Sequence, residues 1–189
     1  MTYTPLDQRG PLPDALRVLL EDYPRDAWEA HPNFSGLVQF WLERHMMFRR
    51  LMEMLDQDAK AMIDRKIAPR DYAGRLSRFG GMLVNQLHGH HQIEDHHYFP
   101  VLEKLDTRLK RGFEMLDKDH HAMDGILNRF AEGANGVLGA LDDDAKMREG
   151  SAAFRREVLG FQKMLHRHLQ DEEEIIVPVI LKNGAAGLH

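Results

Sequence analysis

Twelve histidines punctuate this chain of 189 residues, and five of them crowd between His88 and His97. Two are followed four residues later by a glutamate: His90 by Glu94, and His168 by Glu172. A spacing of four returns a side chain to the same face of a helix, so each pair presents an imidazole and a carboxylate one turn apart. A proline stands ten residues after each of these histidines, Pro100 and Pro178. Two further histidines match each other as well. His45 has Phe48, Leu51 and Met52 at +3, +6 and +7, and His120 has Met123, Ile126 and Leu127 at the same offsets. The chain therefore repeats one order twice, a histidine and then His-x-x-x-Glu. A lone histidine on an apolar face is ordinarily a satisfied core group. Six such groups are different, because burying four imidazoles and two carboxylates costs roughly several kcal/mol per unpaired charge, whereas two divalent cations neutralise and coordinate them all. Carboxylate-bridged dimetal sites are built between facing helices in this way. Nitrogen and oxygen donors without thiolate suit non-haem iron, with manganese or zinc as the other choices.

The candidate ligands His45, His90, Glu94, His120, His168 and Glu172 need helices to carry them. From Phe34 onward apolar residues recur every three or four positions, and no stretch shows sustained strand alternation. The spacing predicts a first helix from about Ser35, its N-cap, to about Lys66, ended by Pro69. A second starts near Asp71 and carries Leu87, His90, Glu94, Tyr98 and Val101 on one stripe, with a kink or stop at Pro100. A third starts near Thr107, and the fourth follows a cap within Asp142-Asp143-Asp144. Short connections make neighbours antiparallel, so the expected fold is all-α, an up-down-up-down four-helix bundle. In an antiparallel hairpin, residues equidistant from the turn lie at one height. The midpoint of His45 and His90 falls between Ile67 and Ala68, that of His90 and His120 at Leu105, and that of His120 and His168 at Asp144, all in expected turns. The four histidines should thus share one level of the bundle. Residues 1–33 hold Pro5, Pro11, Pro13, Pro24 and Pro32 and are expected to be an N-terminal extension with a short helix around Asp14 to Asp22. The bundle spans 34–182, and 183–189 are expected to be a flexible tail.

Composition narrows the function classes. With 43% hydrophobic and 29% charged residues the chain can build a packed core. Cysteine is absent, which excludes disulfides, thiolate zinc sites, cysteine-ligated clusters and a cysteine nucleophile. A net charge of -5 with scattered Lys and Arg argues against nucleic acid as a partner. The longest apolar run, Ile175 to Leu181, falls far short of the roughly 20 residues of a membrane span, so no membrane is expected. The N-terminus lacks the basic-then-apolar layout of a secretory signal, and a cytoplasmic location is expected.

Over about residues 35–182 these motifs resemble the hemerythrin-like domains, also called HHE cation-binding domains. The resemblance implies that His45, His90, His120 and His168 are terminal ligands and that Glu94 and Glu172 bridge two irons. An oxo or hydroxo group would complete the bridge, and an open position would take O2, NO, peroxide or water. Oxygen-carrying members are similar to this chain but have a third-helix His-x-x-x-His pair, where this chain has Leu116 four residues before His120. The four-His, two-Glu set is similar to that of di-iron proteins that repair nitrosative or oxidative damage to iron-sulfur centres, although the cysteine-containing N-terminal segment of many of those is absent. A fifth ligand would come from His97 or His121. His91 with Asp95, and His121 with Asp124, offer a register one residue along; the apolar phase and matched prolines favour His90, and the repeated offsets favour His120. His88, His91, His96 and His166 fall off the main stripe and are expected to be solvated or outer groups, with His31 and His189 uninvolved. Asp117, Asp124 and Glu173 are the candidates to accept from the far N–H of a ligand imidazole. Tyr98 is bundle core, a hydrogen-bond partner of an exogenous ligand, or a redox-active phenol. The expected function is a non-haem di-iron protein that binds or reacts with O2, NO or peroxide in a stress-response or iron-homeostasis role. The alternatives are a non-enzymatic O2 or iron sensor or metal store, and a metal-free structural bundle; the oligomeric state is open.

Overall fold

The computed structural model describes residues 3–34, 36–185 and 188; Ser35, the expected N-cap, and His189 lie outside the described residues. Among the described residues there is no strand, and the chain is a helical bundle with an N-terminal extension. Helix α1 spans Gly36–Ile63 and α2 spans Pro69–Ile93. A π-helical turn, Glu94–Tyr98, leads from α2 without a break into α3, Phe99–Leu105. A 3-10 turn, Thr107–Leu109, opens α4, Lys110–Leu138, and α5 spans Asp144–Asn183. With α2 and α3 counted as one rod, four rods result; the connection at 64–68 contains the first histidine midpoint, and those at 106–109 and 139–143 each lie one residue from theirs, Leu105 and Asp144.

Local chemistry sets the ends. At the close of α1, Arg65 adopts φ 60 and the Lys66 amide donates to Ala61 O at 2.7 Å, the wrap-around stop usually made by glycine. The helix therefore ends three residues before the expected Lys66. Asp143 Oδ1 accepts from the Lys146 amide at 3.1 Å and caps α5, while Asp106 accepts from the Arg108 amide at 3.2 Å before α4. Pro178 lies inside α5.

The chain divides into two compact units, one of residues 1–46, 90–121 and 164–189 and one of residues 47–89 and 122–163. The second has a core that includes Phe130, Phe154 and Phe161, with Phe130 and Phe154 centroids 5.2 Å apart. In the first, Leu12, Leu16, Leu19 and Trp28 of the extension are buried with Val38, Trp41, Phe99, Leu102, Phe113 and the run Ile175–Leu181. Asn33 Nδ2 donates to Leu181 O at 2.7 Å and ties the extension to α5. Within the extension the expected single helix is replaced by two 3-10 turns, Asp14–Leu16 and Arg25–Ala27. Leu188, in the expected tail, is buried against the same core. Gly112 lets α4 approach α5 closely, since a Cβ there would sit 3.0 Å from Ile175 Cδ1.

Candidate metal centre

All six candidate ligands lie in the first unit and are buried: His45, Glu94, His120, His168 and Glu172 at 3% exposure or less, and His90 at 9%. The Nε2 atoms meet in pairs. His45 and His90 approach to 3.1 Å, and His120 and His168 to 3.2 Å. The glutamates lie between these pairs. Glu94 Oε1 is 2.8 Å from His90 Nε2, and its Oε2 is 3.6 Å from His120 Nε2. Glu172 Oε2 is 3.4 Å from His45 Nε2 and 3.6 Å from His168 Nε2. Each carboxylate thus faces one histidine of each pair. The i, i+4 spacing read from the sequence accounts for half of this arrangement, and the hairpin register accounts for the rest.

The outward ring nitrogens are held by carboxylates. His45 Nδ1–H donates to Glu173 Oε1 at 2.9 Å, His120 Nδ1–H to Asp95 Oδ1 at 2.7 Å, and His168 Nδ1–H to Asp119 Oδ2 at 3.4 Å. A proton held on Nδ1 leaves the Nε2 lone pair directed inward, the tautomer a metal ligand needs. Glu173 is one of the holders expected from the sequence, Asp95 and Asp119 are not, and all three reach a histidine on a different helix. The other two expected holders are corrected by the structure. Asp117 gives its backbone oxygen to exposed His121, and exposed Asp124 lies beside exposed His88.

Of the two places expected for His91, solvent or the outer shell of the site, the structure rules out solvent: the residue is 2% exposed and stacks on His120 with centroids 4.0 Å apart and planes 10° apart. Neither of its ring nitrogens has a hydrogen-bond partner. His91, His120 and His168 offer ligand atoms within 4.8 Å of one another, as do His45, His90, Glu94 and Glu172. That separation is close to the width of a coordination sphere with roughly 2.1 Å bonds. His97 and His121, the expected sources of a fifth imidazole, are both exposed. The missed signal was stripe width, since a core-facing helix buries two adjacent rows and admits His90 and His91 together. His88, His96 and His166 are exposed as expected.

The unmet polar atoms of the donor set show whether cations fit it. Both carboxylate oxygens of Glu94 and of Glu172 are buried without a hydrogen-bond partner, short contacts notwithstanding. Burial pushes both carboxyls up to about 8, and it pushes His90 down to about 4 and His168 down to about 3. Without a cation the interior resists charge on Glu94, Glu172, His90 and His168; a pair of cations favours ionised carboxylates and neutral imidazoles together. The residues present therefore fit two metal ions.

A cavity of about 130 Å³ reaches His90 and is lined by Leu37, Phe40, Trp41, Arg44, Ile93 and Tyr98. Trp41 and Tyr98 pack there with centroids 5.1 Å apart. A larger cavity of about 380 Å³ lies beneath the extension, with Tyr3, Arg9, Arg111 and Lys118 in its wall, and includes none of the six candidate ligands.

No curated protein and no solved structure matches the chain. A family model, the hemerythrin HHE cation-binding domain, matches residues 36–180, which carry every candidate ligand. On that match and on the buried histidine and glutamate cluster that it spans, the chain belongs to the hemerythrin HHE cation-binding domain family.

Proposed function

We propose that the chain is a non-haem di-iron protein whose centre binds or reacts with O2, nitric oxide or peroxide, in a stress-response or iron-homeostasis role in the cytoplasm. The observation that carries this reading is the sharing of the glutamates: Glu94 faces His90 and His120, and Glu172 faces His45 and His168, at 2.8 to 3.6 Å. Carboxylates placed between two histidine pairs suit two ions held close rather than one. Iron bound there would supply redox chemistry and ligand exchange. The chain supplies the setting. Glu173, Asp95 and Asp119 hold Nδ1–H and fix the orientation of three imidazoles. The cavity beside His90 is a few water volumes in size, at about 30 Å³ per water, which is room for a diatomic molecule or peroxide. Its aromatic and aliphatic lining favours a ligand that is weakly hydrated. No helix among the described residues is long and apolar enough to cross a membrane.

The test is anaerobic loading with ferrous iron, then separate exposure to O2, NO and hydrogen peroxide, with the optical spectrum and consumption of each followed. Consumption of NO or peroxide with iron retained is expected. Binding without consumption would shift the reading to a sensor or store, and silence towards all three with iron in place would overturn it.

A further inference from the structure

The N-terminal extension sends an arginine to two of the three carboxylates that hold ligand histidines. Arg25 donates to Glu173 Oε2 at 2.7 Å, while Glu173 Oε1 accepts from His45 Nδ1. Its guanidinium lies over the ring of buried Trp28, 4.6 Å from the centroid, and that indole donates to Tyr23 O at 2.8 Å. Arg9 donates to Asp119 Oδ2, the oxygen that faces His168 Nδ1, and its Nε is 3.1 Å from Asp171. Tyr3 donates to the other oxygen of Asp119 at 2.9 Å. Arg9 is 5% exposed, whereas the Arg25 side chain is 49% exposed. The extension therefore reaches His45 through one relay and His168 through another, and these two histidines belong to different Nε2 pairs.

We propose that Arg9 and Arg25 are positioning residues of the metal centre: acting through Asp119 and Glu173, they limit the negative charge delivered to His168 and His45 and so favour the reduced form of bound iron. The inference rests on the di-iron reading above. A carboxylate on Nδ1–H draws that proton, enriches the ring and favours the more positive, oxidised metal. An arginine on the same carboxylate competes for its charge and adds its own. Removing it strengthens the push. One unit charge about 10 Å from a redox centre, at an effective dielectric near 20, shifts an equilibrium by about tenfold. Arg25, half in water, should show less, about threefold.

The test uses the full iron-loaded chain and the variants Arg25→Gln, Arg25→Lys and Arg9→Gln, read by iron content, melting temperature and midpoint potential. Iron content equal to wild type is expected in Arg25→Gln, together with an oxidised-to-reduced ratio about threefold higher at the wild-type midpoint. Arg25→Lys should restore the wild-type value. Arg9→Gln, if it folds, should shift the ratio about tenfold in the same direction. A wild-type potential in Arg25→Gln with iron retained would make these arginines simple straps and overturn the proposal, as would an equal shift in Arg25→Lys. A wild-type chain that takes up no iron sinks the di-iron reading as well, and that result is seen before any variant is compared.

Discussion

His91 carries two ring nitrogens into a space where burial holds the imidazole neutral and neither nitrogen is hydrogen-bonded. A site built only for packing would place a phenyl ring there, because a desolvated, unpartnered polar atom costs about 1–3 kcal/mol. His91→Phe keeps the aromatic stack on His120 and removes both nitrogens. The folded variant should lose about tenfold or more in metal affinity on the His120 and His168 side, with the metal-free protein at least as stable as wild type. Unchanged affinity in a calorimetric titration would make the ring a packing element. Legibility at this scale follows sequence distance. Glu94 and Glu172 are readable because each shares a helix face with a histidine four residues before it. The carboxylates behind the imidazoles are harder to read, because Asp95, Asp119 and Glu173 each serve a histidine on another rod, a partnership that exists only once the rods are in register; Glu173 is named from the sequence without its partner His45. His91 escapes a reading in which the apolar face is one row wide.

The π-turn at Glu94–Tyr98 is the element that departs most from the expected periodicity. Pro100 has no N–H to give the fourth carbonyl back, and its ring crowds that carbonyl in an α-helix. The chain widens instead, and the Phe99 amide reaches Glu94 O, five residues back. One extra residue in the turn rotates the remainder of the rod by about 100°, so Phe99 and Leu102 are buried while Tyr98 and Val101 are half-buried. The sequence pattern puts Tyr98 and Val101 on the inner stripe instead. Urea unfolding should therefore cost Leu102→Ala about 2–5 kcal/mol and Val101→Ala about 1 kcal/mol or less. The reverse order would return the helix to regular phase. Helix number, turn positions and the cap at Asp143 are legible because periodicity and capping act locally. The packing of the extension is not, since Leu12, Leu16, Leu19 and Trp28 join a buried cluster with residues of α1, α3, α4 and α5 that no local pattern names.

For the molecule as a whole, fold and metal are coupled through proton binding. In the metal-free chain the folded state raises the Glu94 and Glu172 carboxyls from the ordinary 4.5 to about 8, so it binds protons more tightly than the unfolded chain across that window. Stability from these groups is greatest at low pH and is lost as pH rises through about 8. His90 and His168, lowered from 6.5 to about 4 and about 3, act in the opposite direction, and their contribution is complete by pH 6.5. Between pH 6.5 and about 8 only the carboxylate loss remains. The melting temperature of chelator-treated protein should fall across that interval, while that of metal-loaded protein should hold, because cations keep both carboxylates ionised. A metal-free chain whose melting temperature stays flat from pH 6.5 to 8 would contradict the burial of the two carboxyls. The most direct measurement is the transition-metal content of protein purified natively from iron-replete cells. The account predicts about two irons per chain, as a carboxylate-bridged pair requires, and no transition metal under conditions that preserve iron sites would contradict it.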